Sequence, residues 1–449
     1  MDLIKICTAT AIAGVFTFSS CNDDDETNNT TNNQQVTDTE IIVSGTWRTG
    51  ETITLDKHLV IPEGESLTIE PGVSIIVSEN GVGANHTPIE ISVKGNLYAI
   101  GSAAKPITFS VDPSLRTQEN TFKGLWGGIV AYATCQEMAL DNVVIEYTGA
   151  QVIEGSPAAT EGVYTAGDDM YPQVTTNNIY GKYVISNSII RNGASDGIYM
   201  MGGNAIIANN TFAANGSTGA DAVNMKAGVK ADIAANIMFS PNTNGMKLSS
   251  SGQNETRGQL LVNAYNNTII NAGWRRDGEK GGSIYVEKNA LVNIVNNLIV
   301  NCKFRTMTPK YKDPNKADGG YDDKSIIDYN FYASGSQTTP IVGDATVGSP
   351  AEGYAQNNKN YNPAVDMNSF ISAPSQLLDP GFVSFDINAV SLTDYTYNTS
   401  WDLHLLPNSP ATVGADGNVN PYFAEGLTIG SKTYTSPYVQ HYFGALGTK

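Results

Sequence analysis

The run Asn297-Leu-Ile-Val is one of seven between Asn142 and Asn330 in which asparagine precedes a short, mostly apolar or β-branched run. The spacings between the seven asparagines are 45, 23, 26, 31, 30 and 33 residues. Repeats that share a similar minimum length and exceed it by a variable number of residues are typical of a repeat protein whose extra residues form loops. The other six runs are Asn142-Val-Val-Ile, Asn187-Ser-Ile-Ile, Asn210-Thr-Phe-Ala, Asn236-Ile-Met-Phe, Asn267-Thr-Ile-Ile and Asn330-Phe-Tyr-Ala.

These runs favour short strands over helices. They are rich in Val, Ile, Thr and Tyr and are bounded by Gly, Asn, Ser and Asp. A unit of about 23 residues without an amphipathic helix matches one coil of a parallel β-helix. Asparagine side chains stacked about 4.8 Å apart would form an amide ladder that satisfies buried polar groups at the corner. We therefore predict an all-β parallel β-helix solenoid with lateral loop insertions.

A second repeated register follows several of the asparagine runs. Its members are Asp196-Gly-Ile-Tyr-Met, Asp221-Ala-Val-Asn-Met, Asn244-Gly-Met-Lys-Leu and Gly282-Ser-Ile-Tyr-Val. Successive side chains of a strand point to opposite faces, so alternation separates inward from outward residues. The predicted inward rows are Ile198, Val223, Met246, Ile284 and Met200, Met225, Leu248, Val286. The predicted outward rows are Tyr199, Asn224, Lys247, Tyr285 and Met201, Lys226, Ser249, Glu287.

The charge balance excludes one class of partner. The 449 residues carry a formal net charge of −18, and the isoelectric point is near 4.6. Nucleic-acid binding needs a basic surface, so we expect no nucleic-acid partner. Unassisted binding of polyanionic glycans is disfavoured for the same reason. Neutral sugars, proteins and cation-bridged partners remain open.

The N-terminus is typical of a secreted lipoprotein. Residues 1–20 contain an apolar stretch too short to anchor stably in a bilayer, which predicts a signal peptide. Phe18-Ser-Ser-Cys resembles a lipoprotein signal-peptidase box, in which Cys21 becomes the acylated N-terminus. The following Asn22-Asp-Asp-Asp-Glu resembles the signal that sends Bacteroidetes lipoproteins to the cell surface. A cleaved signal beside an ordinary cysteine, and a solvated charge run, are the alternatives. Residues 21–40 read as a flexible tether.

A family resemblance covers most of residues 41–415. Val60-Ile-Pro-Glu-Gly-Glu-Ser-Leu-Thr-Ile and Gly95-Asn-Leu-Tyr-Ala-Ile-Gly-Ser resemble the opening of Bacteroidetes surface β-helix proteins in the pectate-lyase-like superfamily. Gly124-Leu-Trp-Gly-Gly-Ile and Asp402-Leu-His-Leu-Leu-Pro resemble later parts of the same proteins. The resemblance implies a right-handed parallel β-helix on the outer-membrane surface. It leaves activity open, because the superfamily holds lyases, hydrolases and adhesins.

The resulting domain prediction has two parts after the tether. Residues 41–345 form the β-helix with an N-terminal cap, and residues 346–449 form C-terminal coils, an extended loop and a cap. Terminal caps are expected at residues 41–60 and 421–449, because a solenoid must protect its open ends. Cys135 and Cys302 lie about five coils apart, so we predict two buried thiols without a disulfide.

Known catalytic patterns of the superfamily are missing. The four histidines lack the glycine-flanked setting of polygalacturonase-type hydrolases, and the Arg-x-Pro-x-x-Arg pattern of pectate lyases is absent. Weak catalytic candidates for a non-standard lyase are Lys226, Lys247 and Arg275, as cationic bases near the outward rows. A solvated basic face is the simpler interpretation of these three.

Glycan binding is the favoured function of the outward rows. Aromatic faces stack on sugar rings, while amide and charged groups bond to sugar hydroxyls. Exposed tyrosines are also ordinary strand residues, which is the alternative. The candidate glycan-binding residues are Tyr199, Asn224, Lys247, Trp274, Tyr285 and Glu287. A polysaccharide lyase or glycoside hydrolase, and a structural or adhesive surface protein, are the other two functions that remain open.

Two insertions exceed the basic coil. Residues 151–183 are rich in acidic residues and tyrosine and are predicted to wall a groove. Residues 313–328 supply carboxylates of a kind that suits Ca²⁺, although their spacing departs from the EF-hand pattern. Their candidate ligands are Asp313, Asp318, Asp322 and Asp323. Loop solubility explains these aspartates equally well, and no other cofactor is expected.

Overall fold

The computed structural model describes residues 33–277, 281–306, 320–338, 349–355 and 366–449. Strands from successive coils pair in parallel and build three sheets. The predicted all-β parallel β-helix is therefore confirmed. Within the residues just given, no helix is long and apolar enough to cross a membrane.

From His58 to Val300, each coil contributes one strand to each sheet. The strand Glu40–Trp47 starts the first two sheets: Glu40 to Ile42 pair in sheet 1 and Gly45 to Trp47 in sheet 2. Sheet 1 continues with His58–Ile61, Ile91–Val93, Ile129–Ala131, Val174–Thr176, Ile198–Met200, Val223–Met225, Met246–Ser249 and Ile284–Glu287. Sheet 2 continues with Ser66–Ile69, Asn96–Ile100, Glu137–Asp141, Lys182–Ser186, Gly203–Ala208, Val229–Ala234, Leu261–Tyr265, Leu291–Val295 and Ile326–Ile327. Sheet 3 comprises Thr52–Leu55, Ser74–Val77, Ile107–Ser110, Val143–Glu146, Ile189–Arg191, Thr211–Ala213, Ile237–Phe239, Thr268–Ile270, Leu298–Val300, Phe331–Ala333 and Phe370–Ile371.

The remaining regular elements are short. Strand Asn33–Val36 pairs antiparallel to the start of Glu40–Trp47, and Leu427–Ile429 forms a hairpin with Lys432–Tyr434. The α-helices are Pro157–Thr160 and Pro350–Ala355, and the 3₁₀ helices are Pro113–Leu115, Gln118–Asn120 and Pro410–Thr412.

The predicted inward rows lie in the core. Ile198, Val223, Met246 and Ile284 pair in successive strands of sheet 1, and all four are fully buried. The second row, from Met200 to Val286, is buried as well. Strand alternation therefore predicted correctly which side chains of sheet 1 point into the core. The row through Tyr199 and Asn224 lies on the outer face of this sheet.

The amide ladder is present and contains five asparagines. The Nδ2 atom of each member donates to the Oδ1 atom of the next at 2.9 to 3.0 Å, and each member is at most 1% exposed. The same Oδ1 atoms accept the backbone N–H of the preceding member, so each rung satisfies two donors. The members are Asn210, Asn236, Asn267, Asn297 and Asn330.

Asn142 and Asn187 were wrongly assigned to this ladder. Strand register places Val143 and Ser188 at the ladder position, and Asn142 and Asn187 lie one residue earlier. Their φ angles are 54° and 52°, in the left-handed region that asparagine tolerates better than most residues. Two neighbouring positions thus favour asparagine for different reasons, and the sequence pattern alone does not separate them.

C-terminal residues pack on the outer face of sheet 3. The outward side chains of this sheet include Phe239 and Phe331, and they form one cluster with Phe382, Leu403 and Phe443. The C-terminal region predicted to contain an extended loop begins partly outside the described residues, which leave out 339–348 and 356–365. Its described end contributes the edge strand Phe370–Ile371.

The final segment lies along the outer face of sheet 2, alongside the coils rather than across their end. Phe423 and Leu427 pack against Val184 and neighbouring outward residues. Asp232, fully buried, accepts hydrogen bonds from the backbone of Phe423 at 3.0 Å and from Ser436 Oγ at 2.6 Å. The cap proposed for residues 421–449 therefore also covers a lateral sheet.

The cysteine prediction is confirmed. Cys135 and Cys302 are free and fully buried thiols. Burial raises the pKa of each to about 12, which makes both thiols poor nucleophiles at neutral pH.

Candidate functional site

A cleft of about 660 Å³ lies on the outer face of sheet 1. Its floor includes the outward column Tyr199, Asn224, Lys247 and Tyr285, whose members pair directly from strand to strand. Three strand spacings separate Tyr199 from Tyr285, on the order of 14 Å. Glu287 lies beside this column, so five of the six predicted glycan-binding residues meet in one cleft.

The insertion after the fourth sheet-3 strand, Val143–Glu146, forms one wall, as predicted. Val163, Tyr164, Asp168 and Asp169 from residues 151–183 line the cleft. The ring of Tyr164 meets the ring of Tyr199 edge to face, with centroids 6.3 Å apart. Arg276 also lines the cleft.

A buried carboxyl group fixes the insertion to the coils. Glu90, fully buried, accepts hydrogen bonds from Tyr132 at 2.5 Å, Tyr171 at 2.8 Å and the backbone N–H of Ala158 at 3.0 Å. Ser92 Oγ donates a fourth bond at 2.5 Å. Tyr171 and Ala158 belong to the insertion, so Glu90 is a positioning residue for the cleft wall. Burial raises the pKa of its carboxyl group.

Two aspartates from adjacent coils line the base of the cleft. Asp196 and Asp221 are 8% and 4% exposed, and each lies two residues before a sheet-1 strand. The backbone N–H of Asp221 donates to Asp196 Oδ1 at 2.6 Å, which holds the two side chains in neighbouring rungs. Burial, with the nearby Asp221 carboxylate second, raises the pKa of Asp196 to about 7. Burial also raises the pKa of Asp221.

Two buried amide side chains complete this base. Asn224 Nδ2 donates to Asp196 Oδ2 at 3.2 Å, and Asn244 Nδ2 donates to Asp221 Oδ1 at 2.7 Å. Asn224 and Asn244 are 7% and 3% exposed. Within the described residues, the Oδ1 atoms of both have no hydrogen-bond partner. Buried acceptors are normally paired, and the hydroxyl of Thr243, which also lines the cleft, is likewise without a partner within the described residues.

The two candidate lysines occupy the same face. Lys247 Nζ lies 3.4 Å from Glu287 Oε1, and Lys226 Nζ lies 5.2 Å from the centroid of the Tyr199 ring. Burial, followed by repulsion from Lys247, lowers the pKa of Lys226. Burial raises the pKa values of Tyr199 and Tyr285 to about 12, so both phenols stay neutral at physiological pH.

Arg275 and Trp274 do not line this cleft. The Arg275 guanidinium donates to the carbonyls of Gly216 and Ser240, each at 2.7 Å, and lies 4.7 Å from the Phe122 ring. Trp274 donates its indole N–H to the carbonyl of Asn301 at 2.5 Å and packs against Phe304. Both side chains therefore fix the loop to the neighbouring coils. The composition of the loop did not indicate these contacts.

The predicted calcium loop is only partly described. Asp313 and Asp318 lie outside the described residues. Asp322 accepts hydrogen bonds from Gln259 and from the backbone of Lys324, both at 2.9 Å. Among the residues with a described placement, including Asp323, no group of three or more His, Cys, Asp or Glu side chains is arranged to hold a metal ion.

The sequence interpretation missed the acidic base of the cleft. Asp196, Asp221 and Asn244 were visible as the first residues of the second repeated register, but no role was assigned to them. The available signal was their position two residues before strands whose outward column had already been selected. Each lies three residues before a member of that column, Tyr199, Asn224 or Lys247, so the three side chains are stacked in the same way.

Comparison with known proteins agrees with the fold. The profile of the family described as "Right handed beta helix region" matches residues 173–319, about a third of the chain. No curated protein and no solved structure matches the chain. The matched residues include most of the cleft lining and four of the five ladder asparagines, and the match supports a right-handed parallel β-helix.

Proposed function

We propose that this protein binds an extracellular glycan and that the sheet-1 cleft is the binding site. The observation that carries the proposal is the paired column from Tyr199 to Tyr285, in which two partly exposed aromatic rings flank an amide and an amine within one walled cleft. Aromatic faces and a few polar groups are the usual components of a sugar-binding site. Chain segments pack on the outer faces of sheets 2 and 3, whereas this part of sheet 1 is open.

The test is binding of the purified protein to a panel of polysaccharides, with and without Ca²⁺. We expect at least one member to bind, and Tyr285→Ala to weaken that binding about tenfold, because the variant loses the apolar area that the ring buries and a stacking contact of roughly 0.5–1.5 kcal/mol. Tyr438→Ala is the matched control, since Tyr438 is 81% exposed and lies outside the cleft. Failure of the entire panel would refute glycan recognition and favour the structural or adhesive role.

Glycoside hydrolysis is the second candidate function. It is favoured by the Asp196 and Asp221 pair, because neighbouring carboxyl groups with raised pKa values suit general acid and base roles. New reducing ends in the panel samples, lost in Asp196→Asn, would establish hydrolysis. Unsaturated ends that depend on Lys226 or Lys247 would instead establish a lyase. Binding without new ends would leave recognition as the function.

We further propose that Cys21 carries a lipid anchor that holds the protein on the outer surface of the outer membrane. The support is the sequence pattern of residues 18–26, which lie outside the described residues. Acyl chains contribute about 0.8 kcal/mol per buried CH₂, so several chains make release slow. Cys21→Ala should move the protein from the membrane fraction to the soluble fraction, and membrane retention of this variant would refute the anchor.

A further inference from the structure

We propose that the base of the cleft is an ammonium-binding subsite and that the glycan it takes carries free amino sugars. This inference rests on the glycan-binding function proposed above and adds the chemical class of the ligand. The subsite consists of the Asp196 and Asp221 carboxylates with the amide oxygens of Asn224 and Asn244.

The hydrogen bonds at this base leave only acceptors for a ligand. The amide nitrogens of Asn224 and Asn244 are oriented by the carboxylates to which they donate. Each amide oxygen is therefore left without a partner within the described residues, and both oxygens are buried beneath the cleft, so a ligand group must enter between the side chains to reach them. A ligand that satisfies this set must bring donors, and an ammonium group has three donors and no acceptor.

The charge of the cleft favours a cation. Asp168, Asp169, Asp196, Asp221 and Glu287 line it together with only two bases, Lys247 and Arg276. Lys247 is paired with Glu287. Neither Asp196 nor Asp221 forms an ion pair with a basic side chain in the described part of the chain, although Lys226 attracts both carboxylates and Lys247 attracts that of Asp221 from a longer distance. Two buried like charges in adjacent rungs repel each other, and a cation between them would relieve that repulsion.

The ligand must also supply sugar rings. Asp196 shares a coil with Tyr199, Asp221 shares the next coil with Asn224, and Tyr285 lies three strands from Tyr199 in the same column. A glycan whose rings lie along this column would place an amino substituent over the base. An N-acetylated sugar has lost the positive charge, and a uronic acid would meet five carboxylates, so both should bind more weakly.

The experiment compares short β-linked glucosamine oligomers with the same oligomers after N-acetylation, by calorimetric titration at pH 7 and low salt. We expect the free-amine oligomers to bind about tenfold or more tightly, because a hydrogen bond to a charged group contributes roughly 1.5–3 kcal/mol. Equal or tighter binding of the N-acetylated oligomers would overturn the ammonium subsite and leave glycan recognition standing. Binding of neither oligomer, when another polysaccharide of the panel binds, would also overturn it.

Variants separate the subsite from the rest of the cleft. Asp196→Asn and Asp221→Asn keep the shape and should abolish the preference for free amines while preserving residual binding of N-acetylated oligomers. Glu255→Gln, an exposed acid outside the cleft lining, should retain the full preference. Equal loss of both ligands in the aspartate variants, measured on protein with a wild-type circular dichroism spectrum, would assign these residues to general architecture and refute the proposal.

A last comparison distinguishes sugar recognition from charge alone. Oligolysine offers ammonium groups without sugar rings. We expect it to bind at least about tenfold more weakly than the glucosamine oligomers, because it cannot stack on Tyr199 and Tyr285 as a sugar ring does. Equal affinity for oligolysine would overturn the amino-sugar assignment in favour of a basic peptide.

Discussion

The coils carry two stacks of buried polar side chains, one in the asparagine ladder and one at the base of the cleft. The two stacks differ in how many of their polar atoms have hydrogen-bond partners. In the ladder from Asn210 to Asn330, the amide oxygen of every member after Asn210 accepts two donors, that of Asn210 accepts one, and each amide nitrogen has acceptors. At the base of the cleft, Asn224 and Asn244 have bonded nitrogens and unbonded oxygens. Both stacks use the same spacing between coils.

The comparison separates stability from recognition. A buried polar group that is fully bonded contributes to folding, whereas an unbonded one costs free energy. Such a cost persists where the group has another use, and a ligand that bonds to it recovers the cost. Polar repetition in a β-helix is therefore informative about function only after its hydrogen bonds have been assigned.

The largest expected effect comes from breaking the ladder. Asn267→Ala removes the acceptor of the Asn236 backbone and side-chain amides and the donor to Asn297, so several buried groups lose their partners. We expect the free energy of unfolding to fall by about 4 kcal/mol. Asn244→Ala, at the cleft, should lose only about 1 kcal/mol because its oxygen has no partner. Urea unfolding of the two variants measures the difference, and equal losses would contradict the comparison.

The second effect concerns pH. Asp196 has a pKa of about 7 in the folded protein against 3.8 in the unfolded chain. Its protonated form therefore contributes fully to the free energy of unfolding below pH 3.8, and this contribution is lost as the pH rises through 7. The neighbouring charges that face it are Asp221 and Lys226. The stability of the wild type relative to Asp196→Asn should therefore decrease by on the order of 3 kcal/mol between pH 4 and pH 7. Urea unfolding across this range measures it, and a constant difference would show that Asp196 titrates normally.

The smallest expected effect comes from a substitution that extends the ladder by one asparagine. Ser188 occupies the next ladder position, where its backbone N–H donates to Asn210 Oδ1 and its hydroxyl accepts from the Val143 N–H. Ser188→Asn places an amide beside Asn210 and should stabilise the fold by up to about 1 kcal/mol. Ser188→Ala should destabilise it by about 1 kcal/mol, because the Val143 N–H loses its acceptor. Thermal unfolding of both variants measures whether their stabilities change in opposite directions. If Ser188→Asn destabilises the fold, position 188 cannot accommodate the larger side chain and the prediction is wrong.

The site was partly readable from the sequence. Alternation around Ile198 and Met246 correctly separated the core from the outer column, because strand periodicity is a local property. The same reasoning failed for Arg275, since a cationic loop residue gave no indication that it would bond to the carbonyls of Gly216 and Ser240. Side chains on loops of variable length have no fixed register, so their neighbours cannot be counted from the sequence.

The sequence by itself determined the strand class, the coil repeat and the inward rows, because these follow from short-range periodicity and from the need to bury apolar side chains. Tertiary structure decided which asparagines form the ladder, since Asn187 lies one residue before the ladder position in a left-handed backbone conformation and Ser188 occupies that position instead. It also decided the chemistry of the cleft. Asp196 and Asp221 are 25 residues apart in the chain, and only the stacking of coils places their carboxyl groups together, away from water, where burial raises the pKa of both.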